Sequence, residues 1–132
     1  MRTRIAQLLL VLGLVAAATV AAAPAQAGPL CSVTYQVSPF PGGFTGFFTV
    51  INNSTTTTKG WRVEVHFHDG VDVVANWNSE ILLDAAPVYV FGNAAFNGVL
   101  RPGASTGFGV NALKSSASVP NTPRSAVCAP LF

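Results

Sequence analysis

Among the residues able to do chemistry, the carboxylates come first. Residues 28–132 carry five of them: Glu64, Asp69, Asp72, Glu80 and Asp84. Glycoside cleavage needs two carboxyl groups flanking one bond, one of them with a raised pKa. Asp69, Asp72 and Asp84 stand in or beside turn-like sequence, where an aspartate is expected for local backbone reasons. Glu80, close to Trp77, is the remaining candidate, and no spacing places a second acid with it. A serine nucleophile lacks the strained Gly-x-Ser-x-Gly context it would need. Catalysis is therefore not expected, and the reading calls for no cofactor.

A metal is the next possibility. In "EVHFH", Glu64, His66 and His68 alternate onto one face of a strand at a spacing open to zinc. The other face of the same strand is Trp61, Val63, Val65 and Phe67, so the trio reads as the solvated side of an amphipathic strand. No metal site is expected from it.

The aromatic residues carry more. Trp61 heads the inward-facing set, but Trp77 stands between two asparagines in "VANWNSE". Phe40 in "SPFPGGF" and Phe96 in "NAAFNGV" likewise sit beside Pro, Gly or Asn. Three large rings in strand-end or loop sequence imply an interaction surface. A flat ring flanked by amides suits a sugar, whose C–H face can lie on an aromatic plane while its hydroxyls need both donors and acceptors, which Asn supplies. Asn78 is a candidate for such contacts.

These residues need a scaffold, and the pattern around them is period two. Val33, Tyr35 and Val37 alternate with polar neighbours in "CSVTYQVS". Phe44, Gly46, Phe48 and Val50 share one face of "FTGFFTVIN", and "WRVEVHFH" alternates most clearly of all. Further strands are predicted at Val71–Ala75, Glu80–Leu83, Pro87–Phe91, Ser105–Asn111 and Ser125–Ala129. Loop sequence separates them, including "NNSTTTTKG", which reads as a flexible hairpin connection. Many short strands about ten residues apart, with no convincing helix, predict an all-β antiparallel sandwich of the immunoglobulin-like or jelly-roll type.

Residues 1–27 read as a cleaved signal peptide: Arg2 and Arg4, an apolar run from Ile5 to Ala23, and the small-x-small site Ala25–Gln26–Ala27. The 105 residues from Gly28 to Phe132 are then one secreted, extracellular domain. Five basic residues balance the five acids, so no footprint for nucleic acid or for an anionic membrane is present and an uncharged partner is indicated. Cys31 and Cys128, an even pair near the two ends of an exported domain, are expected to form a disulfide.

Taken in order, "CSVTYQV", "FPGGFTGFFTVIN", "GWRVEVHF", "NWN" at Asn76–Asn78, "FNG" at Phe96–Gly98 and "RPGASTGFGVN" resemble a family 2 carbohydrate-binding module, the bacterial cellulose-binding domain type, over essentially all of Cys31–Cys128. The resemblance implies a sandwich of about nine strands. It also implies a flat face whose three rings, here Phe40, Trp77 and Phe96, dock on insoluble cellulose or chitin. It makes Trp61 a buried structural residue and Asn111 a polar position on the binding face. Gly43 falls where the xylan-binding branch carries an arginine that reorients the first ring. Two platform rings are Phe where Trp is typical, and Phe47 replaces a usually polar residue. The expected partner is an insoluble polysaccharide bound by a monomer. An alternative left open by the greasier patch is a protein or cell-surface interaction domain, and a third is a glycoside hydrolase component.

Overall fold

In the computed structural model, which describes residues 28–132, the chain forms eight strands. They are β1 (Cys31–Phe40), β2 (Gly43–Asn52), β3 (Gly60–His66), β4 (Val71–Trp77), β5 (Ser79–Ala85), β6 (Val88–Asn93), β7 (Ser105–Lys114) and β8 (Ser125–Leu131). The resemblance implied about nine. The candidate signal segment lies outside the described residues.

Two four-stranded antiparallel sheets result, in the orders β1-β2-β7-β4 and β5-β6-β3-β8. Alternation decides their faces. Trp61, Val63 and Val65 of β3 are buried while Arg62 and Glu64 are exposed, and Phe44, Phe48 and Val50 of β2 meet them from the other sheet. An aromatic column crosses the sandwich. The ring of Trp61 stacks on Phe108 of β7 at 5.2 Å, and Phe108 stacks on Phe48 at 4.8 Å with the planes 8° apart. Each such ring contributes about 1.5–3 kcal/mol on leaving water. The column fixes the spacing of the layers as well as stabilising them.

At one edge of the sandwich the Cys31–Cys128 disulfide ties β1 to β8, hence one sheet to the other. At the opposite edge the chain passes directly from β4 to β5 through Asn78.

The Thr-rich segment differs from expectation. β2 and β3 belong to different sheets, so "NNSTTTTKG" is a crossover between layers rather than a hairpin. Nor is it loose. Buried Asn52 donates from Nδ2 to the carbonyls of Thr56 and Leu100, and its Oδ1 accepts from the N–H and hydroxyl of Ser54. Thr58, also buried, donates to the Gly98 carbonyl at 2.7 Å and accepts from Leu100 N. A local run of threonines carries no signal of which sheet comes next, and these long-range bonds supply it.

Candidate functional site

Strand pairing places the outward residues of the first sheet in rows. One row reads Gln36, Phe47, Gly109, Trp77; the next Ser38, Thr45, Asn111, Ala75; and a third begins Phe40, Gly43, Leu113. Phe40, Trp77, Phe47 and Asn111 thus share one face of the sheet. How Trp77 gets there is not a matter of alternation. Val71 and Val73 of β4 are buried, and unbroken alternation from them would carry Ala75 and Trp77 into the core. The register shifts between Val73 and Ala75, leaving Val74 unpaired and exposed. This bulge inverts the faces of residues 75–77, so Trp77 emerges on the outside opposite Gly109.

Two glycines then let rings lie against the sheet. A Cβ at Gly109 would overlap Trp77 Cζ2 and Cε2 and come within 2.8 Å of Nε1, so the indole covers the β7 backbone where a side chain would stand. At Gly43 an added Cβ would overlap the Ala112 carbonyl oxygen first and then stand 2.8 and 2.9 Å from Cε2 and Cζ of Phe40, so the β7 backbone already excludes a side chain there and Phe40 lies over the gap. Gly43 and the partner of Gly109, Phe47, are four residues apart along β2, and β2 and β7 are neighbours. The rings over these two glycines are therefore about 14 Å apart.

Phe96 arrives from the β6–β7 connection, where it is 74% exposed. Its neighbour Asn97 holds it, and sequence reasoning did not single that residue out. Asn97 is buried. Its Nδ2 donates to the Asn78 carbonyl at 2.8 Å, and its carbonyl accepts the indole N–H of Trp61 at 2.9 Å. Asn93 Oδ1 accepts from Trp61 N, and Thr58 fixes Gly98 from the far side. The segment that carries Phe96 is thereby tied to Asn78, the residue after Trp77. Asn78 takes the left-handed backbone region at φ 58°, which Asn tolerates better than most residues. The signal available in the sequence was an asparagine on each side of this link, in "NWN" and "FNG".

The polar positions divide. Asn111 Oδ1 accepts from the Thr45 hydroxyl at 2.8 Å, so the two hold each other on the face and the Asn111 amide donors stay uncommitted. Asn76 is occupied locally, donating to the carbonyl and hydroxyl of Ser79. Asn78 keeps its side-chain amide exposed. Phe47, 44% exposed, stands edge-on to Trp77 with centroids 6.0 Å apart and planes at 68°. Between them lies a shallow depression of about 370 Å³ reaching Thr49, Asn78, Thr106 and Gly107, with no charged residue in its lining.

The alternative chemistries fare differently. Glu80 pairs with Gly92 in the second sheet, away from the face that holds Trp77. In the "EVHFH" segment β3 ends at His66; His66 Nε2 meets Glu64 Oε1, while His68 Nδ1 accepts from Arg124 Nε. Among the described residues no three His, Cys, Asp or Glu side chains are grouped to hold a metal.

Comparison with known proteins identifies the family and the fold. A family model described as the cellulose binding domain matches residues 31–128. Chitinase 63 of Streptomyces plicatus is 38% identical over 68% of this chain, which spans 15% of that enzyme's length. A cellulose/chitin binding protein of Mycobacterium tuberculosis is 31% identical over 113 residues, 85% of this chain and 75% of the relative. Among solved structures, the chitin-binding domain of Chi18aC from Streptomyces coelicolor aligns with a TM-score of 0.60 and 29% identity, covering 74% of this chain and 89% of that domain. The family 2 cellulose-binding domain of ScLPMO10C shares the fold with a TM-score of 0.61, covering 79% of this chain and 99% of that one, at 24% identity. From Cys31 to Cys128, this chain belongs to the cellulose binding domain family, the family 2 carbohydrate-binding modules.

Proposed function

We propose that the protein is a secreted, non-catalytic module that docks on insoluble β-linked polysaccharide, cellulose or chitin, through Phe40, Trp77 and Phe96. Asn78 and Asn111 add hydrogen bonds to sugar hydroxyls. The observation that carries this reading is the pair of rings seated over Gly43 and Gly109 on an outward sheet face. Rings placed this way add little to the core, yet β7 gives up a side chain at Gly109 to seat the indole. Flat apolar surface beside neutral amides matches the alternating C–H faces and hydroxyl rims of an uncharged glycan. The binding named for the mycobacterial relative and for the Streptomyces domain supports the same class of ligand.

In this reading residues 1–27 are removed after Ala27, and residues 28–132 act as one monomeric domain outside the cell. The interlayer disulfide supports an oxidising compartment. Sedimentation with microcrystalline cellulose and with chitin tests the proposal. Wild-type protein should be depleted from solution by at least one polymer, with Trp77→Ala and Phe96→Ala both retained less. Equal retention of all three proteins would refute the platform, and release of reducing sugar by the pure chain would refute the absence of catalysis.

A further inference from the structure

The depression beside Trp77 has a composition that a purely flat platform does not need. One wall is the ring of Phe47, its plane turned 68° from that of the indole. Its lining includes Gly107, where an added Cβ would meet only the Phe48 carbonyl at 3.5 Å, so nothing rises from the sheet there. Its outward polar rim is Thr49 and Asn78, since Thr106 pairs with buried Val50 and turns its side chain to the core side. The side-chain hydrogen bonds among the described residues engage Asn78 only through its carbonyl and leave the Thr49 hydroxyl unused. The cavity thus joins an upright apolar wall to neutral donors and acceptors, and it opens next to the ring on which a sugar would stack.

We infer that this depression is a subsite for the acetamido substituent of an N-acetylated sugar unit seated on Trp77, and that Phe47 is the residue that makes the face prefer an N-acetylated glycan to an unsubstituted glucan. This rests on the platform reading above and specifies its ligand. An acetamido group has the two chemistries that the lining offers together. Its methyl fits against the phenyl wall, and its amide N–H and carbonyl meet hydroxyl or amide groups on the rim. A glucan presents a hydroxyl at the same place. Against Phe47 that hydroxyl would lose water without a partner on the phenyl side, which is unfavourable. The absence of charge in the lining is consistent with a neutral amide rather than a free amine or carboxylate.

The test uses soluble hexamers of matched length: N-acetylglucosamine, its de-N-acetylated form, and glucose, each titrated by calorimetry into residues 28–132 with the disulfide intact. The wild type should bind the acetylated hexamer most tightly. Phe47→Ser should weaken that binding about fourfold, the factor carried by one buried methyl, and leave the glucose hexamer unchanged or improved. Thr49→Val, which keeps the shape and removes the hydroxyl, should weaken the acetylated ligand alone. Both positions are on the surface, and a thermal melt matching the wild type shows that the variants fold. Equal affinity for the three hexamers, or Phe47→Ser lowering all of them by one factor, overturns the subsite while leaving the platform standing. No binding of any hexamer or insoluble polymer overturns both.

Discussion

Gly109→Ala separates the making of the platform from the making of the fold. The new methyl would occupy the space now filled by Trp77 Cζ2 and Cε2, so the indole must swing off the β7 backbone. The obstacle is a surface side chain free to move, and Gly109 does not occupy the left-handed region, so its backbone accepts alanine. Restricting the unfolded chain then stabilises by roughly 0.4–1 kcal/mol. Loss of the edge contact between Trp77 and Phe47 opposes it by roughly 0.5–1.5 kcal/mol. These nearly cancel, and the melting temperature should stay within about 5 °C of wild type. Binding has no such compensation. One face of an indole covers about 80 Å², under half of what a whole tryptophan buries. At about 25 cal/mol per Å² this amounts to about 2 kcal/mol, or roughly thirtyfold in affinity. Depletion isotherms on chitin and cellulose alongside scanning calorimetry measure both quantities. Gly109→Ala should bind as poorly as Trp77→Ala while melting like wild type. Wild-type binding by Gly109→Ala would show that the ring over β7 is not the binding conformation, and a collapse of stability would show that Gly109 serves the fold instead.

Three further outcomes are expected of the same structure. Trp61→Phe keeps a ring on Phe108 but strips the Asn97 carbonyl of its indole donor, which should cost about 1–3 kcal/mol and speed amide exchange through residues 94–98, read by thermal melts and hydrogen exchange. Reduction of the Cys31–Cys128 disulfide, whose ends are 97 residues apart, should lower unfolding free energy by about 4–5 kcal/mol, seen as an earlier denaturant midpoint in the presence of a thiol reductant. Burial raises the pKa of Tyr35, and burial first and then the nearby Asp72 and Asp84 carboxylates raise that of Tyr89, against an ordinary 10.0. Because the folded state favours the neutral phenols, their contribution is complete below pH 10.0 and is lost as pH rises from there toward the folded-state values. A spectroscopic pH titration should therefore show tyrosinate appearing together with loss of the fold.

What the sequence revealed and what it concealed divide along a physical line. Alternation identified the inward set Trp61, Val63, Val65 and Phe67 because a half-buried strand must obey it, and all four are buried. The cysteine pair was legible because its position at the domain ends admits one partner. Phe40, Trp77 and Phe96 were legible as rings with polar or turn-forming neighbours. Their arrangement was not, since alternation assigns a face within one strand and is silent about which strands adjoin. That silence is why the Thr-rich crossover resembled a hairpin. It also hid Asn97, whose work depends on a bond to Asn78 across 19 positions. Gly109 was one of two glycines inside the strand predicted at Ser105–Asn111, and only pairing opposite Trp77 gives it meaning.

The unpaired Val74 divides β4 into two segments under opposite rules. Before it, odd-numbered positions face the core and must stay apolar; after it, odd-numbered positions face solvent and are free to change with the ligand. A residue gained or lost at this point would exchange the two rules for everything up to Trp77 without altering the composition of the strand. The length of β4, more than the identity of any residue in it, therefore determines whether the module displays its tryptophan or hides it. Among related chains, a change of binding behaviour can arise from an insertion here even when every aromatic residue is retained.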